Sequence, residues 1–188
     1  MPAFKPEKGG AERPAPFHRQ WIERWRVHHP VEENPLPTIA DLLRTEDVLL
    51  DLDVSCKSQL FEELGAHFER QHGMPREWVV LSLSRREQVG STGLGEGVAV
   101  PHARIKDLFR IQLAYVRLQA PIPFDAPDGK PVSDILVLLV PKEATEAHLS
   151  VLAEATQMFS SSAFRESLHA CNQAWEVRQL FSTWPFSA

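Results

Sequence analysis

The chain has 188 residues, of which 43% are hydrophobic and 24% charged, and it carries a formal net charge of -5. That is the make-up of a soluble globular protein with room for one proper core. No apolar run reaches membrane-spanning length, no signal peptide opens the chain and no basic cluster points to nucleic acid, so a cytoplasmic location is expected. Cys56 and Cys171 stand alone, read as reduced thiols, and no ligand cluster asks for a metal or cofactor.

Residues 1–37 form a proline-rich extension: seven of the fifteen prolines fall there, at 2, 6, 14, 16, 30, 35 and 37. Within it Phe17, Trp21 and Trp25, with Ile22 beside them and Arg19, Arg24 and Arg26 between, read as one short amphipathic helix. Docking on its own domain, binding a partner or membrane surface, and translation from too early a start codon all fit that segment.

The domain is expected over residues 38–188. Thr38 with Asp41 marks a helix start carrying Ile39, Leu42 and Leu43 inward, and Val48–Leu52 reads as a strand. Ser55 is expected to cap a helix reaching about Gln71, with Leu60, Phe61, Leu64 and Phe68 at the helical period. His67 and His72, near its end, read as surface residues. Gly73 stops that helix, and Pro75 opens another that runs to about Arg86, with Arg85 in solvent.

The stretch from Arg86 to Arg104 carries the chemistry: Arg-Glu-Gln-Val-Gly-Ser-Thr-Gly-Leu-Gly-Glu-Gly-Val-Ala-Val-Pro-His-Ala-Arg. Glycines at 90, 93, 95 and 97 permit positive φ and close backbone approach, as phosphate-cradling loops do. Val98, Ala99 and Val100 read as a buried strand, and Pro101 stiffens its end so that His102 points in one direction. Alone, such a histidine reads as a surface residue. With Arg86, Thr92 and Arg104 in the same window it suggests phosphohistidine chemistry, because guanidinium and hydroxyl groups hold oxygens while an imidazole nitrogen attacks.

Further on, Ile111–Leu118 and Ser133–Val140 read as strands joined through a tight turn at Asp128-Gly129. Thr145 is a good cap for a helix to about Phe159, with Leu149, Leu152, Thr156 and Phe159 along one side. His148, in its first turn, reads either as a core-edge histidine bonded to a carbonyl or as an imidazole placed for an anion. Helices over about 163–171 and 173–184 close the chain, with His169 on the helix surface. The fold class is α/β (mixed α+β): a mixed sheet of about five strands flanked by helices.

The Arg86–Arg104 stretch resembles the signature of EIIA domains of the bacterial phosphotransferase system, in the mannitol/fructose and nitrogen-regulatory branch. Pro121–Val132 and Leu139–Leu149 add to the resemblance, which spans roughly residues 38–184. It implies that His102 accepts a phosphoryl group, that His148 is the second active-site histidine, that Arg86 holds phosphoryl oxygens and that Thr92 supplies a hydroxyl. It also implies a phosphotransferase relay component with no cofactor. The donor would be a histidine-phosphorylated carrier of the HPr or NPr type, and regulatory target proteins would read the phosphorylation state. A sugar-specific EIIA passing phosphate to a separate EIIB, and a non-phosphorylated binding module of the same fold, are the alternatives.

Overall fold

A computed structural model of the protein describes residues 36–143 and 146–184. The amphipathic segment at Phe17–Trp25 and the cap at Thr145 lie outside the described residues. Among those described, no helix is long and apolar enough to cross a membrane.

Thr38 opens helix α1 (Ile39–Leu42) through a reciprocal box: Thr38 Oγ1 accepts from the Asp41 amide at 3.3 Å, and Asp41 Oδ2 accepts from the Thr38 amide at 2.9 Å. A 3-10 turn (Thr45–Asp47) then leads into strand β1 (Val48–Leu52), as expected. Helix α2 (Lys57–His72) stops at Gly73, whose φ of 65° is one that glycine adopts readily. Ser55 does not cap it: its amide and hydroxyl both donate to Gln59 Oε1 at 2.8 Å, one turn inside the helix. Helix α3 (Arg76–Val89) runs three residues past the expected end, so Arg86 lies inside its last turn rather than at its last residue.

The glycine-rich stretch builds a hairpin. Strands β2 (Gly93–Gly95) and β3 (Val98–Ala99) pair antiparallel across Glu96 and Gly97, which have φ of 52° and 79°. Two left-handed residues in a two-residue turn match the twist of the flanking strands. Gly93 serves a second need: a side chain there would meet Ala126 at 2.8 Å. The positive φ values are therefore spent on the hairpin, not on a phosphate cradle.

β3 ends at Ala99, and Pro101, which has no amide to donate, separates it from β4 (His102–Ile105). Both segments run parallel to β6 (Val132–Pro141), one after the other along the same flank. His102 therefore begins a strand, whereas the sequence pattern had it end one. β5 (Gln112–Ile122) pairs antiparallel with β6 on the other flank and parallel with β1 beyond it. Among the described residues the sheet has six strands in the order β1-β5-β6-β3-β2, with β4 beside β6.

β6 is central, and successive side chains supply opposite layers. Ile135, Val137 and Leu139 pack with Leu60, Leu64, Phe68, Val79 and Leu83 of α2 and α3. Leu136, Leu138 and Val140 pack with α1 and with the last three helices: α4 (Glu146–Ser160), α5 (Ser162–Ala170) and α6 (Ala174–Thr183). In α4 the buried residues are Val151, Ala155, Met158 and Phe159. Leu149, expected on the buried side, is 61% exposed.

Two histidines depart from their surface reading, and a third, His169, keeps it. His67 and His72 both place Nε2 at 2.8 Å from Oδ1 of Asp47, with all three side chains buried. Burial works against the Asp47 charge, but the hydrogen bonds from the two imidazoles outweigh it and hold the carboxyl below its usual range. His169 is exposed, yet its Nε2 reaches the buried Asp134 Oδ2 at 2.7 Å. Asp134 also accepts from the Tyr115 and Ser133 hydroxyls at 2.6 and 2.7 Å.

Candidate functional site

β4 lies along the flank of β6, and a helix from each layer meets the start of this strand. A shallow cavity of about 330 Å³ is lined by Ser82 and Arg86 of α3, by His102, Ala103 and Arg104 of β4, by Val140, and by His148, Leu149 and Leu152 of α4. Alternation along β4 sends Ala103 and Ile105 into the α2/α3 layer, so His102 and Arg104 share the other face, as an extended chain requires.

His102 is held at both ring nitrogens. Nδ1 lies 3.0 Å from the Val100 carbonyl, and Arg86 Nε lies 3.1 Å from Nε2. A carbonyl can only accept and a guanidinium N–H can only donate, so both contacts demand the same tautomer: hydrogen on Nδ1, lone pair on Nε2. Arg86 is itself aimed by a bond from Nη1 to the Gly90 carbonyl at 2.9 Å. Burial is the foremost cause that pushes the His102 pKa below its ordinary value, and the charges of Arg86 and His148 push the same way. The Val100 bond and Glu87 oppose them without prevailing. A neutral imidazole with its Nε2 lone pair directed at a cation in a cavity is a nucleophile ready for an anionic electrophile.

Thr92 sits elsewhere. It is buried, its hydroxyl donates to Glu87 Oε2 at 2.7 Å, and its amide donates to the same carboxylate. It is absent from the cavity lining, so the structure gives it to the loop anchor, not to the cavity. Glu87 also receives Lys57 Nζ at 3.3 Å, and Lys57 goes on to Asp125 at 2.6 Å and the Phe124 carbonyl at 3.3 Å. This chain of charges fastens the end of α3, hence Arg86, to the loop that enters the hairpin. Sequence reasoning missed Glu87, Lys57 and Asp125 in that role. The only available signal was Glu87 beside Arg86, five residues before Thr92.

Residues 41–184 match the family described as the phosphoenolpyruvate-dependent sugar phosphotransferase system, EIIA 2. A nitrogen regulatory protein of Bradyrhizobium diazoefficiens is 33% identical over 150 residues, which span 80% of this chain and 98% of that protein. The crystal structure of nitrogen regulatory protein IIA-Ntr from Neisseria meningitidis superposes with a TM-score of 0.73 at 44% identity, covering 76% of this chain and 98% of that one. The IIA mannitol structure from Escherichia coli shares the fold, with a TM-score of 0.63 at 19% identity over 73% of this chain and 97% of that one.

Proposed function

This chain belongs to the EIIA 2 family of the phosphoenolpyruvate-dependent sugar phosphotransferase system, and from that premise we propose that it accepts a phosphoryl group on Nε2 of His102 from a histidine-phosphorylated carrier protein. In this reading it is a cytoplasmic regulatory component of the nitrogen-regulatory type, whose phosphorylation state decides which target proteins it binds. The domain that does this spans residues 38–188, and residues 1–37 are an appendage to it. The observation that carries the reading is the Nε2 lone pair of His102, fixed by Val100 behind and flanked by Arg86 and His148.

The donor docks its phosphohistidine over the cavity, against the exposed Leu149 and half-buried Leu152 at its rim. Arg86 releases Nε2 and turns to the phosphoryl oxygens. The Nε2 electron pair then forms the new N–P bond, while the pair of the breaking P–N bond returns to the donor's ring. In the loose transition state the charge is spread over three oxygens, and Arg86 meets it with a fixed positive charge beside His148. Positive charge that builds on the His102 ring is steadied at Nδ1–H by the Val100 carbonyl. Thr92 acts as a positioning residue through Glu87.

The test is phosphoryl transfer from phosphoenolpyruvate through a phosphotransferase enzyme I and its histidine carrier, read by intact-mass spectrometry. One acid-labile phosphate is expected on the wild type and none on His102→Ala. An unlabelled wild type, in a mixture where a known EIIA labels, would reduce the chain to a binding module of the same fold. Labelling that persists in His102→Ala would move the acceptor elsewhere.

A further inference from the structure

The cluster at the start of β1 is not used by this chemistry, and it has a chemistry of its own. We propose that Asp47, His67 and His72 form a binding site for a divalent transition-metal ion of the zinc class. Three observations meet there.

The first is the donor set and its spacing. Nε2 of each histidine lies 2.8 Å from Asp47 Oδ1, and the three ligand atoms lie within 4.8 Å of one another. Metal–ligand bonds of about 2.0–2.2 Å in a tetrahedral site put ligand atoms roughly 3.3 Å apart, so modest side-chain rotations bring all three onto one ion. Two imidazoles and a carboxylate suit zinc, cobalt or manganese, not calcium or magnesium, which favour oxygen. At present each imidazole spends its Nε2 hydrogen on the carboxylate. A metal takes the place of both hydrogens, and each neutral ring keeps its proton count by carrying it on Nδ1 instead.

The second is Oδ2 of Asp47, which is buried with no hydrogen-bond partner among the described residues. Asp47 is only 1% exposed. A carboxylate oxygen stripped of water and left unpaired is a poor arrangement for a structural clamp alone, and an adjacent cation completes it. The third is access. His72, alone of the three, lines an open cleft of about 490 Å³ that also includes Gly73, Met74, Lys106 and Phe109, so an ion reaches the cluster from the His72 side. The ligands stand on the turn before β1 and on the last two turns of α2, which the sheet and the Gly73 stop hold in place.

The full-length chain, stripped with a chelator, should bind one equivalent of Zn²⁺ in calorimetry and develop the visible bands of tetrahedral Co²⁺. The melting temperature should rise with Zn²⁺, and Mg²⁺ should do neither. His72→Gln should weaken Zn²⁺ binding at least tenfold and abolish the thermal shift, whereas the double variant His102→Ala/His148→Ala should keep both. Imidazole ¹⁵N spectra of the wild type make the test independent of any variant's folding, because Zn²⁺ should move the ring nitrogens of His67 and His72. If none of the eight histidines moves, if Zn²⁺ moves His102 and His148 instead, or if binding survives in His72→Gln, the proposal is wrong.

Discussion

The contact between Arg86 Nε and His102 Nε2 makes the guanidinium both a guard and a tuner of the imidazole. Its charge is one of the causes that lower the His102 pKa, after burial, so Arg86→Gln should raise that pKa toward the ordinary 6.5. The same variant should slow phosphoryl acceptance by about 10²-fold, the usual loss when one fixed transition-state donor is removed. Histidine NMR titration and single-turnover labelling read the two effects separately, and a rate loss without a pKa change would leave Arg86 with a positioning role only. A second consequence concerns acid stability. His102 binds its proton more weakly folded than unfolded, so its contribution is present above 6.5 and lost as pH falls through the folded value. Urea unfolding of wild type and His102→Ala at pH 7.5 and 5 should therefore show a smaller acid loss in the variant. That His102, His148 and Arg86 meet in one cavity was legible because a signature confines them to two short stretches of chain. The tautomer was not, since its determinant is the Val100 carbonyl, a backbone atom that no residue type announces.

Helix α3 reaches the site because it packs very closely on α2. A β-carbon at Gly65 would meet Val80 Cγ2 at 2.8 Å and the Arg76 carbonyl at 3.0 Å, and neither a valine methyl nor a backbone oxygen can step aside cheaply. Gly65→Ala gains helix propensity yet should cost a net of about 1–3 kcal/mol through overpacking. Chemical denaturation checks the loss, and slower labelling of His102 should accompany it, because Arg86 moves with α3. Helix α4 shows why its buried side escaped the sequence pattern. It carries two apolar stripes: Val151, Ala155, Met158 and Phe159 face the core, while Leu149 and Leu152 edge the cavity. Periodicity finds apolar residues but does not say which stripe a fold buries and which it leaves for a partner. The same limit hid the Asp47 cluster. His67 and His72 are five apart, a spacing that puts them on different helix faces, and their common acceptor lies twenty residues before His67.

At the scale of the molecule, β6 joins both layers, so neither can melt without the other. Leu138→Ala, at a position 1% exposed in the α4 layer, should cost about 2–5 kcal/mol. The unfolding it causes should remain one transition when followed at Trp78 in α3 and at Trp175 in α6. Two separate midpoints would show that the layers unfold independently. The central strand was legible because it is apolar at nearly every position, while the order of strands around it depends on pairings between distant segments that local patterns do not encode. The outer strands have a consequence for association. β2 is only three residues long. β1 breaks register between Leu49 and Leu52, where Asp51 takes a φ of 56° and its carboxylate is held by Arg117 at 3.1 Å. Neither of these two strands offers the straight row of unpaired amides and carbonyls on which a further strand could grow. A partner that approaches the sheet at β1 or β2 must therefore read side chains instead of annealing to the backbone.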